Sequence, residues 1–168
     1  MSDYLLPAVL VDKAREVVAA NRAAGRRVAV AESCTGGLVS AALTEIAGSS
    51  EMFEAGFVTY SNTAKSAALR VGDEVVETFG AVSIATAWAM ARGALEKSDA
   101  DVAVAITGIA GPDGGSDKKP VGTVIFARAE RDASDEKIVA DQKLFDASGG
   151  RSSVRLQAAL CALDLLMP

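Results

Sequence analysis

Ser50, Tyr60 and Lys65 lie close together in a chain that contains no histidine. Without histidine there can be no Ser-His-Asp triad, no Cys-His dyad and no His-ligated zinc. Nucleophilic chemistry would then fall to lysine as the base, because a neutral amine can take a serine proton once burial or a neighbouring cation lowers its pKa. Each residue also has a plain structural reading. Ser50 could cap a helix, Tyr60 could sit at a core rim, and Lys65 could be a solvated surface lysine. Ser33 and Ser49 compete with Ser50 by residue type, and the Tyr60-to-Lys65 spacing is not the YxxxK pattern of hydride-transferring reductases.

Three further segments could hold a ligand. Ala31-Glu32-Ser33-Cys34-Thr35-Gly36-Gly37 runs from a strand end into a helix start. There, free N–H groups attract anions and glycines let the backbone approach a ligand, with Ser33, Thr35 and Gly36 as candidate substrate contacts. The same serine and threonine could instead cap the helix. No lysine follows the glycines, so this is not a phosphate-binding Walker loop. The second segment, Thr107-Gly108-Ile109-Ala110-Gly111-Pro112-Asp113-Gly114-Gly115-Ser116 and on to Thr123, follows an apolar strand. Long ordered glycine loops are more often functional than idle, which brings in Thr107, Gly108 and Gly111. Its Ser116 and Lys119 form an SxxK pattern by chance, because that motif needs a helix to stack the two side chains. In the third, Arg151 and Arg155 share a helix face just after Ser148-Gly149-Gly150, which suits a phosphate or, more simply, two solvated guanidiniums.

The elements that position these residues follow from periodicity. Leu6, Leu10, Ala14 and Val17 mark a helix from near Leu5 to Gly25, and Val28 to Ala31 reads as a buried strand. A helix carrying Leu38, Val39, Ala42, Leu43 and Ile46 ends at Gly48. Phe57-Val58-Thr59-Tyr60 reads as the second strand. Short helical segments near 64–69 and 73–79 precede a long helix capped by Ser83. Val102 to Ile106 is a central strand. Val121 to Ala129 and Lys137 to Phe145 form a hairpin, and a last helix spans about Ser152 to Met167. Helix-separated strands pair in parallel and the hairpin adds one antiparallel strand. The expected architecture is α/β, a three-layer α/β/α sandwich around a mixed, mostly parallel sheet of about five strands, as one domain over residues 1–168.

Half of the residues are apolar, enough for a sizeable core, and the net charge of −5 argues against nonspecific nucleic-acid binding. Cys34 and Cys161 are far apart, which suits free thiols in a reducing compartment. No apolar run approaches the roughly twenty residues of a membrane span, and Met1-Ser2-Asp3-Tyr4 lacks the basic start of a signal peptide. The expectation is a soluble cytoplasmic protein.

In combination and order, AESCTGG at 31–37, GFVTYSN at 56–62 and GIAGPDGG…KPVGTV at 108–124 closely resemble the carboxy-terminal domain of the competence/damage-inducible CinA proteins, which includes stand-alone nicotinamide-nucleotide amidases. The likeness covers nearly the whole chain. The family often has Gly-Asp-Arg where this chain has Gly149-Gly150-Arg151, and 168 residues leave no room for the amino-terminal domain of the longer members. The resemblance implies hydrolysis of the carboxamide of nicotinamide mononucleotide to nicotinate mononucleotide and ammonia, on a five-stranded mixed sheet, by a serine and a lysine. On this reading Ser50 attacks, Lys65 is the base and Tyr60 assists proton transfer. Thr107 and the glycine loop hold the substrate, and Arg151 or Arg155 holds its phosphate. No metal or cofactor is expected. The expected partners are a small nucleotide and further copies of the chain, not nucleic acid or membrane. The alternative is a non-catalytic nucleotide-binding module of competence or DNA-damage physiology.

Overall fold

A computed structural model of the chain describes residues 4–168; the reading of Met1-Ser2-Asp3 as lacking a signal falls outside them. The elements run α1 (Ala8–Ala23), β1 (Val28–Glu32), α2 (Leu38–Thr44), a 3-10 turn (Ser49–Glu51), β2 (Phe53–Val58), α3 (Asn62–Leu69), α4 (Asp73–Phe79) and α5 (Ile84–Glu96), then β3 (Val102–Gly108), β4 (Thr123–Glu130), β5 (Val139–Leu144) and α6 (Gly150–Leu165). The sheet order is β2-β1-β3-β4-β5, with β1 parallel to β2 and β3, and with β4 antiparallel to both neighbours. This is the expected mixed sheet with one reversed strand. No helix among the described residues is long and apolar enough to cross a membrane.

Alternation along the strands makes the two faces different. Val28 and Val30 of β1 and Val102, Val104 and Ile106 of β3 pack under α1, α2 and α6. Ala29, Ala31, Ala103, Ala105, Ala127 and Ala129 face the other way, against Ala87, Ala91 and Ala94 of α5. Alanine on both surfaces brings α5 close to the sheet, whereas the valine face needs the bulkier side chains of α1 and α6 to fill it. Gly93 of α5 continues the theme, since an added Cβ there would meet the Leu69 carbonyl oxygen at 2.0 Å.

Several strand boundaries differ from the sequence expectation, among them those of β2, β4 and β5, which starts at Val139 rather than Lys137. β2 occupies Phe53–Val58, so Tyr60 lies beyond its end. It is an edge strand whose early residues include Glu54 and Gly56, which obscure the strand signal. β4 begins at Thr123 rather than Val121, after Gly122 turns with φ +99°. Helix α1 starts at Ala8 rather than Leu5 because Pro7 disfavours helical backbone at the residue before it. The Ser83 cap is present, its hydroxyl accepting from the Thr86 amide at 3.1 Å.

From β1 the chain leaves through α2 to β2 on one side, then returns through α3–α5 to β3 on the other. Beyond the carboxyl ends of β1 and β3 these departures leave a crevice, the usual ligand position of an open α/β sheet.

Candidate active site

The crevice is a cleft of about 270 Å³ lined by residues that include Ser33 and Cys34 after β1, Tyr60 and Lys65, Ala81 and Val82, the Thr107–Gly111 end of β3, Asp113 and Arg151. Glu32, the last residue of β1, fixes its floor. Its buried carboxylate accepts from the Gly37 amide at 3.1 Å, the Val39 amide at 3.1 Å, the Ser40 amide at 2.9 Å and the Ser40 hydroxyl at 2.8 Å. The first-turn amides of α2 are thereby satisfied by a side chain from the strand rather than by a local cap. The turn between them is tight, with Gly37 at φ +95°, a conformation that suits glycine.

Ser33 is the first residue past β1, and its amide donates to the Ile106 carbonyl of β3 at 2.9 Å. Its hydroxyl oxygen lies 3.0 Å from the amine of Lys65. Lys65 comes from the first turn of α3, whose cap is the Ser61 hydroxyl accepting from the Ala64 amide. Its side chain is only 1% exposed. The amine also contacts the carbonyl oxygens of Thr59 at 2.9 Å and Tyr60 at 3.1 Å, and it has no ion-pair partner among the described residues. Burial therefore pulls its pKa below the ordinary lysine value, with the neighbouring Cys34 opposing weakly. A neutral amine has two N–H donors and one lone pair. Two carbonyls and one hydroxyl match that inventory, with the serine O–H directed at the lone pair.

Cys34 is the other nucleophile at hand. Burial pushes its thiol up to about 11, which keeps it protonated and weakly nucleophilic at neutral pH.

Ser50 is elsewhere. It sits in the 3-10 turn before β2, beside the start of β1, where the Val28 amide bonds the Met52 carbonyl. Ser33 is at the other end of β1, roughly 16 Å away at about 3.3 Å per strand residue. The structure thus corrects the pairing of Ser50 with Lys65: proximity in sequence placed them together, but β2 carries the chain across the sheet between them. Tyr60 is also corrected. Its carbonyl, not its phenol, meets Lys65. The ring is 59% exposed, and its hydroxyl bonds Arg151 at 2.6 Å.

The two arginines do different things. Arg151 lines the cleft, donating to the Gly111 carbonyl at 2.7 Å and to Tyr60. The guanidinium's other N–H donors remain for a ligand. Arg155 is not in the cleft wall and donates to the carbonyls of Cys34 at 3.2 Å and Thr35 at 3.0 Å, tying helix α6 to the turn after β1. Thr35 and Gly36 are likewise not in the cleft wall, since the Thr35 side chain is buried and Gly36 faces Arg155. Thr107, Gly108 and Gly111 are in it; the Thr107 hydroxyl donates to the Ala81 carbonyl at 2.8 Å and holds that wall in place. Ser116 and Lys119 close a small loop turn, while the Lys119 amine reaches the Val82 carbonyl at 2.5 Å.

The sequence offers Ser33 both as a substrate contact and as a rival to Ser50 by residue type, and it does not single out Asp113. The usable signal for Ser33 was its position, directly after a buried strand and before a glycine turn.

A protein of Enterobacter agglomerans named nicotinamide-nucleotide amidohydrolase PncC is 51% identical over 149 residues, covering 89% of this chain and 88% of the relative. One of the same name from Escherichia coli (strain K12) is 50% identical over 157 residues, covering 94% and 92%. The crystal structure of competence/damage inducible protein CihA from Agrobacterium tumefaciens superposes with a TM-score of 0.91 at 47% identity, covering 99% of this chain and 97% of that one. The family model described as the CinA C-terminal domain matches residues 11–168, and the chain belongs to that family.

Proposed function

We propose that the chain hydrolyses the carboxamide of nicotinamide mononucleotide, with Ser33 as nucleophile and Lys65 as general base. The observation that carries the mechanism is the 3.0 Å contact between a cleft serine and a buried lysine that lacks a counter-ion. The names of the two amidohydrolase relatives supply the substrate class.

Lys65 takes the Ser33 proton as the oxygen attacks the carboxamide carbon. Cys34 lines the cleft and its amide donates to no protein oxygen among the described residues, which leaves it for the developing oxyanion. One such donor is worth about 3–4 kcal/mol in comparable enzymes. The Lys65 ammonium then protonates the leaving nitrogen, the C–N bond breaks and ammonia departs. Water, deprotonated by the regenerated neutral lysine, attacks the Ser33 ester and releases the carboxylate. Arg151 suits the phosphate, and Asp113 offers a negative charge to the pyridinium ring. The reading is of a cytoplasmic enzyme without a nucleic-acid partner, supported by the net charge of −5.

The test is ammonia release from nicotinamide mononucleotide by purified protein in the presence of chelator, with Ser33→Ala as control. Binding of the nucleotide without ammonia release would replace the amidase by a binding module. Full activity in Ser33→Ala would remove the proposed nucleophile.

A further inference from the structure

Strand β5 is an open edge of the sheet, paired only with β4. Most of it is exposed on both faces: Val139 and Leu144 are each 66% exposed, and within the strand Ala140 packs partly against the core. Asp141 and Lys143 have no ion-pair partner among the described residues. An open edge of this kind is a template for another strand unless something blocks it.

Its main chain fixes which residues could pair. The Phe145 amide donates to the Gly122 carbonyl at 2.9 Å, toward β4. Antiparallel alternation then directs Asp141 and Lys143 toward β4 as well, and turns the N–H and C=O groups of Ala140, Gln142 and Leu144 outward. A two-fold pairing of β5 with β5 of another copy must set outward residues against outward residues, so its axis passes through a residue. An axis at Asp141 opposes two aspartates, and an axis at Lys143 opposes two lysines. An axis at Gln142 opposes Asp141 to Lys143 twice, Gln142 to Gln142, Ala140 to Leu144 and Val139 to Phe145. In that register the charged pairs fall at the non-hydrogen-bonded positions, where side chains are closest. About six ladder hydrogen bonds form through the outward residues.

We propose that β5 is the interface of a two-fold homodimer centred on Gln142, in which the two sheets become one continuous sheet. The self-complementary charge order of Asp141 and Lys143 selects a second copy of this chain as the occupant. The inference is independent of the amidase reading.

The test is sedimentation equilibrium of the full chain across about 1–100 μM, where a dimer must dissociate by mass action. The wild type is expected to dimerise. D141K and K143D should each weaken the dimer by roughly tenfold or more, because each change counts twice across the axis. The double variant D141K/K143D should restore it to within a few-fold. Q142P removes an outward N–H but none that β4 uses, so it should abolish the dimer while leaving the far-UV circular dichroism unchanged. A monomer throughout the range overturns the proposal. So does a dimer indifferent to the charge variants, which would use another face.

Discussion

The amine of Lys65 and the hydroxyl of Ser33 stand 3.0 Å apart although 32 positions separate them in the chain. The strand β1 delivers one to the end of the sheet and helix α3 delivers the other. Neither would reach the contact without the sheet order β2-β1-β3, which leaves room for both beyond the strand ends.

Ser33→Ala is expected to lower kcat by at least roughly a thousandfold with little change in nucleotide affinity, and Ser33→Ala/Lys65→Ala to be no worse than either single change. Ser50→Ala, at an exposed turn on the opposite end of the sheet, should keep near-normal kcat and stability within about 0.5 kcal/mol. Steady-state kinetics of these variants with nicotinamide mononucleotide decide it; loss of turnover in Ser50→Ala would contradict the geometry.

The depressed pKa of Lys65 makes two pH predictions. The value of kcat/KM should rise with pH as the amine loses its proton, with the limb centred below the ordinary lysine value. Stability should also rise with pH between the folded and unfolded pKa of Lys65, because in that window the unfolded chain binds the proton that the folded chain has lost. Lys65→Met should be inactive and lack this increment. Denaturant unfolding of both proteins over a pH series measures it, and parallel stability curves would show that Lys65 is charged in the fold.

Arg151→Ala should raise KM for the nucleotide about 10- to 100-fold, the cost of losing charged hydrogen bonds, with a smaller effect on free nicotinamide. Tyr60→Phe should move KM a few-fold and leave kcat nearly unchanged, since its phenol touches Arg151 and not the reacting pair. Arg155→Ala should affect both ligands alike through kcat, because it releases the Cys34 and Thr35 carbonyls. A phosphate-selective loss in Arg155→Ala and none in Arg151→Ala would reverse the assignment.

Glu32→Gln replaces an acceptor-only carboxylate that four donors share. The amide can accept at one atom only. The expected loss is about 2 kcal/mol, or a fall in Tm of roughly 4–8 °C for a chain of this size. Calorimetry checks it; an unchanged Tm would mean that α2 does not depend on this carboxylate.

Much of the fold was legible because it rests on local signals. Val28 to Ala31 and Val102 to Ile106 are apolar runs of strand length, Ser83 carries a cap, and the hairpin is announced by its short charged connection. β2 was displaced because Glu54 and Gly56 sit in an edge strand, where pairing with β1 decides more than side-chain preference does. Lys65 and Arg151, which residue type and context single out in the sequence, both line the cleft. Which serine meets the lysine is not legible in the sequence, because it depends on where strands end in space: Ser50 is nearer to Lys65 in the chain, and Ser33 is the one in contact with it. The two arginines look alike in the sequence for a similar reason: one turn of α6 separates a cleft residue, Arg151, from one that holds the turn after β1, Arg155.

Two of the three contacts that hold the Lys65 amine are main-chain oxygens, from Thr59 and Tyr60. Point mutation cannot remove a main-chain oxygen. Residue 60 therefore offers its carbonyl to the base whatever its side chain, while that side chain alone meets Arg151. On the proposed mechanism, substitution there can retune which nucleotides are accepted without retuning the base. Natural drift and directed evolution should both find position 60 a permissive route to new substrate range, with the proton-transfer apparatus inherited intact.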